Sequence, residues 1–231
     1  MKYFAVVFIA VLSIFKSNAQ TYELGGLIGG SKYIGDVGST QVFPPTDIAF
    51  GGIFKWNRSP RHSFRLNALI AGISGDDSKA KESRRIERGY DFKNTITELS
   101  LGLEYTFWDF DLHTGKPQNT PYLFLGVGYF GHKSLYLNPT SNEIEQYDSE
   151  WKMAIPMAVG YKFTIATKAV MGIEFGARYT FTDNLDGNNP TGRLEDDYGL
   201  KFGNVNNRDW YFYTGVYLTF AFGREPCYCN F

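Results

Sequence analysis

The sequence predicts an all-β fold, an eight-stranded antiparallel transmembrane β-barrel of the outer-membrane type, and three observations carry that expectation. Apolar and polar residues alternate with a two-residue period in segment after segment, each long enough to cross the apolar layer of a tilted barrel. The composition, with 25 glycines, 16 tyrosines and 20 phenylalanines against 4 methionines, favours strands and turns over helices. The chain also opens like an exported protein.

Lys2 is followed by the apolar stretch Tyr3 to Phe15 and a small-residue site, Ser17-Asn18-Ala19, before Gln20. This layout predicts a signal peptide over residues 1–19, a barrel over 20–223 and a periplasmic tail over 224–231. The apolar stretch is shorter than the roughly 20 residues of a membrane-spanning helix, and no later segment approaches that length. The net charge of -1 gives no reason to expect nucleic acid as a partner. The two cysteines, Cys227 and Cys229, are too close to the end to frame the fold with a disulfide.

Four strands show the period most clearly. Leu99, Leu101, Leu103, Tyr105 and Phe107 alternate with Glu98, Ser100, Gly102, Glu104 and Thr106. The same holds from Trp151 to Phe163, from Met171 to Phe181 and from Trp210 to Phe222. Weaker copies at Tyr22 to Gly30, Ile48 to Trp56, Phe64 to Ile73 and Tyr122 to His132 complete an even number that suits a closed barrel. In the third of these, Leu69, Ala71 and Ile73 interrupt the polar face, and a bulge is the expected cause. A soluble sandwich would place charge on its outer face. Here small and charged residues share one face, and aromatics sit near both ends of the other (Trp56, Tyr105 and Tyr161; Tyr129, Trp151 and Trp210).

Loop lengths set the expected orientation. Long polar connections (Ser31 to Asp47, Gly75 to Asn94, Lys133 to Glu150, Asp183 to Asp209) follow the odd strands, and short ones (Asn57 to His62, Asp109 to Thr120, Thr164 to Lys168) the even strands. Short turns belong in the periplasm and long loops outside, so both mature termini are expected in the periplasm. The charge-dense run from Asp76 to Arg88 reads as a solvated outer loop.

An eight-stranded barrel has an interior that side chains fill, so no pore is expected. Charges on the inward face must then find partners, and Glu98, Glu104, Lys152, Lys162, Glu174 and Arg178, together with Lys55 and Arg65, are read as a lumen charge network. His132 and Ser134, with Glu143 or Glu145 downstream, resemble the His-x-Ser core of the outer-membrane lipid A deacylases, in which the histidine would activate the serine. Leu135 stands where that family has asparagine, and parity points both residues into the lumen, away from lipid. No catalytic residue, metal or cofactor is therefore expected.

The tail is the one feature a bare barrel does not need. Pro226 ends any ladder it could join, and Cys227 and Cys229, at i and i+2 on an extended chain, have Cα atoms about 6.6 Å apart, at the limit for a disulfide. A bond to a partner, a strained local bridge and a free pair all stay open. Pro226, Cys227, Tyr228, Cys229 and Phe231, with Asp111 and His113 in the longest periplasmic turn, are the expected partner-binding residues.

The run from Tyr22 to Asp36 (YELGGLIGGSKYIGD) resembles the opening of PorG, the outer-membrane barrel of the Bacteroidetes type IX secretion system. The resemblance continues in Gly51 to Asn57, Ser74 to Ser78, Phe92 to Leu99 and Thr120 to Phe124, and is vaguer after about Phe130. It implies a non-catalytic component of that secretion machine. Its implied partners are outer-membrane lipid and the periplasmic ring, made of a PorK-like lipoprotein and a PorN-like subunit, which it would tether to the membrane. A surface adhesin or receptor and a lipid A-modifying hydrolase are the alternatives.

Overall fold

The computed structural model describes residues 21–139, 143–204 and 207–223. The expected signal peptide (1–19) and tail (224–231) lie outside the described residues. Eight strands follow in order: β1 (Thr21–Ile34), β2 (Asp47–Asn57), β3 (His62–Asp76), β4 (Asp91–Thr106), β5 (Asn119–Asn138), β6 (Glu143–Ala166), β7 (Ala169–Thr180) and β8 (Trp210–Gly223). Each pairs antiparallel with the next, and β1 pairs with β8 from Thr21 opposite Gly223 to Ile34 opposite Trp210, so the sheet closes on itself. Across the span shared by neighbouring strands closure leaves no sheet edge, and the ladder groups are paired without water.

The two-residue period decides which way each side chain points. Along β4, Asn94, Ile96, Glu98, Ser100, Glu104 and Thr106 are buried, whereas Leu99, Leu101 and Leu103 between them are exposed. Leu125 on β5 is 60% and Ile28 on β1 is 60% exposed, so the apolar belt runs round the outside rather than into a core. An apolar surface of that extent calls for a lipid covering. Aromatic pairs mark both rims: Trp56 with Phe64 and Tyr105 with Phe107 at the short-turn end, Tyr129 with Trp151 and Tyr179 with Trp210 at the long-loop end. No described helix is long and apolar enough to cross a membrane.

Two sequence expectations need correction. The β2–β3 and β3–β4 ladders run without slippage, so β3 carries no bulge; the register shifts lie at Ser134/Leu135 and at Thr164/Ala166. Leu69, Ala71 and Ile73 keep their parity and point inward, because the lumen is filled in part by apolar side chains. The segment Lys133 to Glu150 is also mostly strand, with the β5–β6 ladder reaching Asn138 opposite Glu143. Beyond the rim neither face meets lipid, so the hairpin has no need of alternation. Glu145 holds it across the strands, accepting from Tyr136 at 2.8 Å and from Asn138 at 2.7 Å.

Both mouths are stopped by side chains. At the short-turn end, the backbone N–H of Phe110 donates to Pro60 at 2.9 Å, and its buried ring lies 4.5 Å from the Lys162 ammonium. At the other end the β7–β8 loop folds back, sinking Leu185 among Tyr33, Phe92, Phe130 and Tyr211. Asn94 anchors that loop by donating to the carbonyls of Leu185 (3.0 Å) and Lys133 (2.8 Å). Within the wall, inward glycines make room for large rings: a side chain on Gly160 or Gly172 would collide with the ring of Tyr122 or Tyr217.

Candidate functional site

Inside the barrel the described charges are balanced by one another. Glu104, on β4, lies 2.9 Å from Lys55 of β2 and 2.7 Å from Lys162 of β6, with Arg65 of β3 at 3.5 Å. Arg65 also donates to Glu174 of β7 through both terminal nitrogens, and Glu174 accepts from the Tyr122 hydroxyl at 2.6 Å as well. Nearer the loop end, Arg178 stands 3.4 Å from Glu98, which accepts from Tyr211 as well. Glu23 closes the set at the other end, accepting from Asn57 (2.8 Å) and Thr219 (2.6 Å). Ions removed from water in this way are held by complementary charge and hydrogen bonds.

Lys152 does not join this network. It points inward, but it lies opposite Phe130 close to the rim, remains part-exposed and pairs with Glu150 at 2.8 Å. Parity gives the direction of a side chain and not its height, so its terminal ammonium reaches the mouth instead of the lumen.

His132 and Ser134 are buried inward, as their parity requires. The His132 ring uses Nδ1 on the Lys133 carbonyl at 3.1 Å, while His132 Nε2 and Ser134 Oγ engage no hydrogen-bond partner, so the two are not coupled. Glu145 is committed to Tyr136 and Asn138. Among the described residues no three Asp, Glu, His or Cys side chains converge as a metal-binding cluster.

At the short-turn end, the connection between β4 and β5 contains a single 3-10 turn, Leu112–Thr114, capped by Asp111, whose carboxylate accepts from the His113 backbone N–H at 3.0 Å. The His113 ring spans Asp111 (3.0 Å) and the Thr21 hydroxyl (3.0 Å). These residues line a cavity of about 160 Å³ with Asn57, Arg58, Pro60 and Phe110. Thr21 faces Gly223, so the described end of β8 lies beside this cavity. Pro226, Cys227, Tyr228, Cys229 and Phe231 themselves lie outside the described residues.

A family model described as "Domain of unknown function (DUF6089)" matches residues 1–231. The chain belongs to the DUF6089 family. No curated protein matches it. Solved structures similar to this DUF6089 chain are small outer-membrane proteins. Ail, the attachment invasion locus protein of Yersinia pestis, is 10% identical, with 89% of this chain and 100% of that chain covered at a TM-score of 0.48. A major outer membrane protein from Thermus thermophilus is 15% identical, with 89% and 100% covered and a TM-score of 0.47. Neisserial surface protein A is 8% identical, with 89% and 98% covered and a TM-score of 0.45. Identities this low carry nothing about function.

One group in this DUF6089 member escaped the sequence reading. Asp36, Asp183, Asp186 and Asp209 are all buried at the long-loop end. Tyr33 places its hydroxyl 2.7 Å from both Asp186 and Asp209. Burial, with Asp186 and Asp36 close by, pushes the Asp183 carboxyl up to about 7, and burial pushes Asp186 up to about 6. Asp209 is raised as well, by burial first and then by the negative charge of Asp186. The signal was the run Asp183-Asn184-Leu185-Asp186-Gly187-Asn188-Asn189, crowded with oxygen-bearing side chains around one glycine.

Proposed function

We propose that this chain is a non-catalytic outer-membrane component of the type IX secretion machine, tethering the periplasmic ring of PorK-like and PorN-like subunits to the membrane. The observation that carries the reading is a barrel stopped at both ends, with an ordered turn at one of them. Its lumen is filled by paired ions and rings, so it has no conduit to offer. The Asp111–His113–Thr21 cluster builds a hydrogen-bonded surface beside Gly223, the last described residue of β8. The resemblance of Tyr22 to Asp36 to PorG names the partner. In this reading the termini face the periplasm, and Asp111, His113, Pro226, Cys227, Tyr228, Cys229 and Phe231 make the contact. The uncoupled His132 and Ser134 support the absence of hydrolase activity.

The test is affinity purification of the tagged barrel from membranes, as wild type, with Pro226 to Phe231 deleted, and with Cys227 and Cys229 changed to serine. Ring subunits should accompany the wild type and be lost on deletion. A deleted form that inserts normally and still brings down the ring in full yield removes the tail from the interface. Failure of the wild type to retain any ring subunit removes the reading itself.

A second reading, a surface adhesin or receptor, is favoured by the opposite end. There the β5–β6 hairpin projects past the rim, and a cleft of about 610 Å³ opens among Arg88, Tyr90, Leu137, Ile144, Lys201 and Phe202. The charged run behind it is tied down at two points, Arg88 on Asp77 and Arg85 on the carbonyls of Gly35 and Gly38, while Lys81, Arg84 and Glu87 are exposed. Loss of host or ligand binding on filling this cleft, with ring capture intact, would mark the outer end as a separate functional surface.

A further inference from the structure

We propose that the loop between β7 and β8 holds one divalent cation, calcium by the chemistry of its ligands, on the side-chain oxygens of Asp183, Asn184 and Asn188, with Asp36 and Asp186 adding negative charge. The first argument is an uncompensated charge. Asp36, Asp183, Asp186 and Asp209 are at most 7% exposed. The neighbouring base, Arg88, is already engaged: it holds both oxygens of Asp77, at 2.6 and 2.9 Å, and the backbone carbonyl of Asp36 at 2.8 Å. The Tyr33 hydroxyl has one hydrogen and stands 2.7 Å from two carboxylates, so it can satisfy only one of them as a donor. The second contact needs a proton on that carboxyl, which leaves the remaining carboxylates of the group to be neutralised from solution.

The second argument is independent of charge. Oδ1 of Asp183, Asn184 and Asn188 are each buried and accept no hydrogen bond. The two amides are oriented by their other ends: Asn188 Nδ2 donates to Asp36 Oδ2 at 2.8 Å and Asn184 Nδ2 to the Tyr147 hydroxyl at 3.2 Å, which leaves each carbonyl oxygen turned away. Burying an unsatisfied acceptor is unfavourable, and each of these three, within a six-residue stretch, gains from a cation. Carboxylate and amide carbonyl oxygens with no sulfur or imidazole are the ligand set of a hard cation. Calcium takes them in flexible geometry, whereas magnesium demands a near-ideal octahedron.

The backbone that carries these residues is held in place. Gly187 adopts φ +83°, which reverses the chain between Asp186 and Asn188, and a side chain there would crowd Leu135 and the Tyr90 hydroxyl. Asp186 accepts from the Asn188 backbone N–H at 3.1 Å, and its carbonyl accepts from Tyr90 at 2.7 Å. Asp209 accepts from the Leu185 N–H at 2.9 Å. With one carboxylate in direct contact, affinity in the weak range of extracellular calcium modules, about 10⁻⁴ to 10⁻³ M, is expected.

The experiment is calorimetric titration of calcium chloride into the full chain, folded in detergent and stripped with chelator, with magnesium chloride as the comparison. The expected result is one calcium per chain and weaker magnesium binding. Asp183→Asn and Asn188→Ala should each lower calcium affinity at least tenfold while heat-modified gel mobility still reports a folded barrel. Should either variant fail to insert, hydrogen exchange of the wild type with and without calcium decides instead, and protection must fall on the 182–209 loop. No calcium binding up to about 10 mM, unchanged affinity in both folded variants, or protection elsewhere overturns the proposal. Tightening of the loop by protons alone, with no calcium uptake, overturns it too.

Discussion

The lumen and the loop end bury charge under different conditions. In the lumen, Glu23, Glu98, Glu104 and Glu174 stand among Lys55, Arg65, Lys162 and Arg178, four acids with four bases. At the loop end, Asp36, Asp183, Asp186 and Asp209 crowd together while the nearby Arg88 serves Asp77. A stopped barrel admits no counter-ion once folded, so the chain has to supply its own neutrality there. A loop at the mouth can draw protons or cations from solution. The first arrangement is permanent and the second is adjustable.

The sharpest way to break this contrast is to unbalance the lumen. Glu104→Gln leaves Lys55, Lys162 and Arg65 facing one another without their shared anion, and stability should fall on the order of 3 kcal/mol. The midpoint of chemical unfolding in detergent checks it, and an unchanged midpoint would mean that water reaches the network.

The loop end should instead respond to pH. The Asp183 carboxyl, at about 7, and Asp186, at about 6, titrate higher in the folded loop than as free side chains. Between about pH 4 and 7 the packed loop therefore holds protons that the opened loop has released, and packing weakens as pH rises, by at most about tenfold per unit for each proton. The groups facing this cluster are Asp36, Asp209, Tyr33, Tyr90 and Arg88. Hydrogen exchange at 182–209 in chelator should speed up over that window beyond its intrinsic pH dependence, while the β-ladder amides do not follow.

Gly187→Ala should act locally, costing about 1 kcal/mol by forcing an L residue into positive φ, with faster exchange in the loop and an unchanged unfolding midpoint. The smallest effect belongs to Lys152→Met. Its ammonium is part-exposed and Glu150 keeps its bond from Thr191, so a loss below about 1 kcal/mol is expected, against the much larger loss at Glu104.

The same contrast explains what could be read in the sequence. Between two lipid rims a strand must alternate, so parity alone identified the spans and the inward direction of Glu98, Glu104, Lys162, Glu174 and Arg178. It could not say that Arg65 bridges Glu104 and Glu174, because those partners lie 39 and 109 positions away along the chain, the first set beside it by the β3–β4 register and the second reached across the lumen. Leu69, Ala71 and Ile73 were misjudged because the inward face was assumed to be uniformly polar, whereas a packed lumen needs volume as well as charge. Outside the belt no period is imposed. The β5–β6 hairpin therefore looked like a loop, and the carboxylates on either side of Gly187 looked merely polar.

The pairing of Thr21 with Gly223 has a consequence for assembly. The strand synthesised first waits for the strand synthesised last, and until β8 arrives the growing sheet presents two open margins with an apolar face between them. Seven strands are no partial success: they are a template for fusion with any other nascent sheet nearby. Insertion is thus bound to favour delivery of the whole chain before the seam is sealed, and a lesion in β8 should be felt as loss of the protein from the membrane rather than as a weakened version of it.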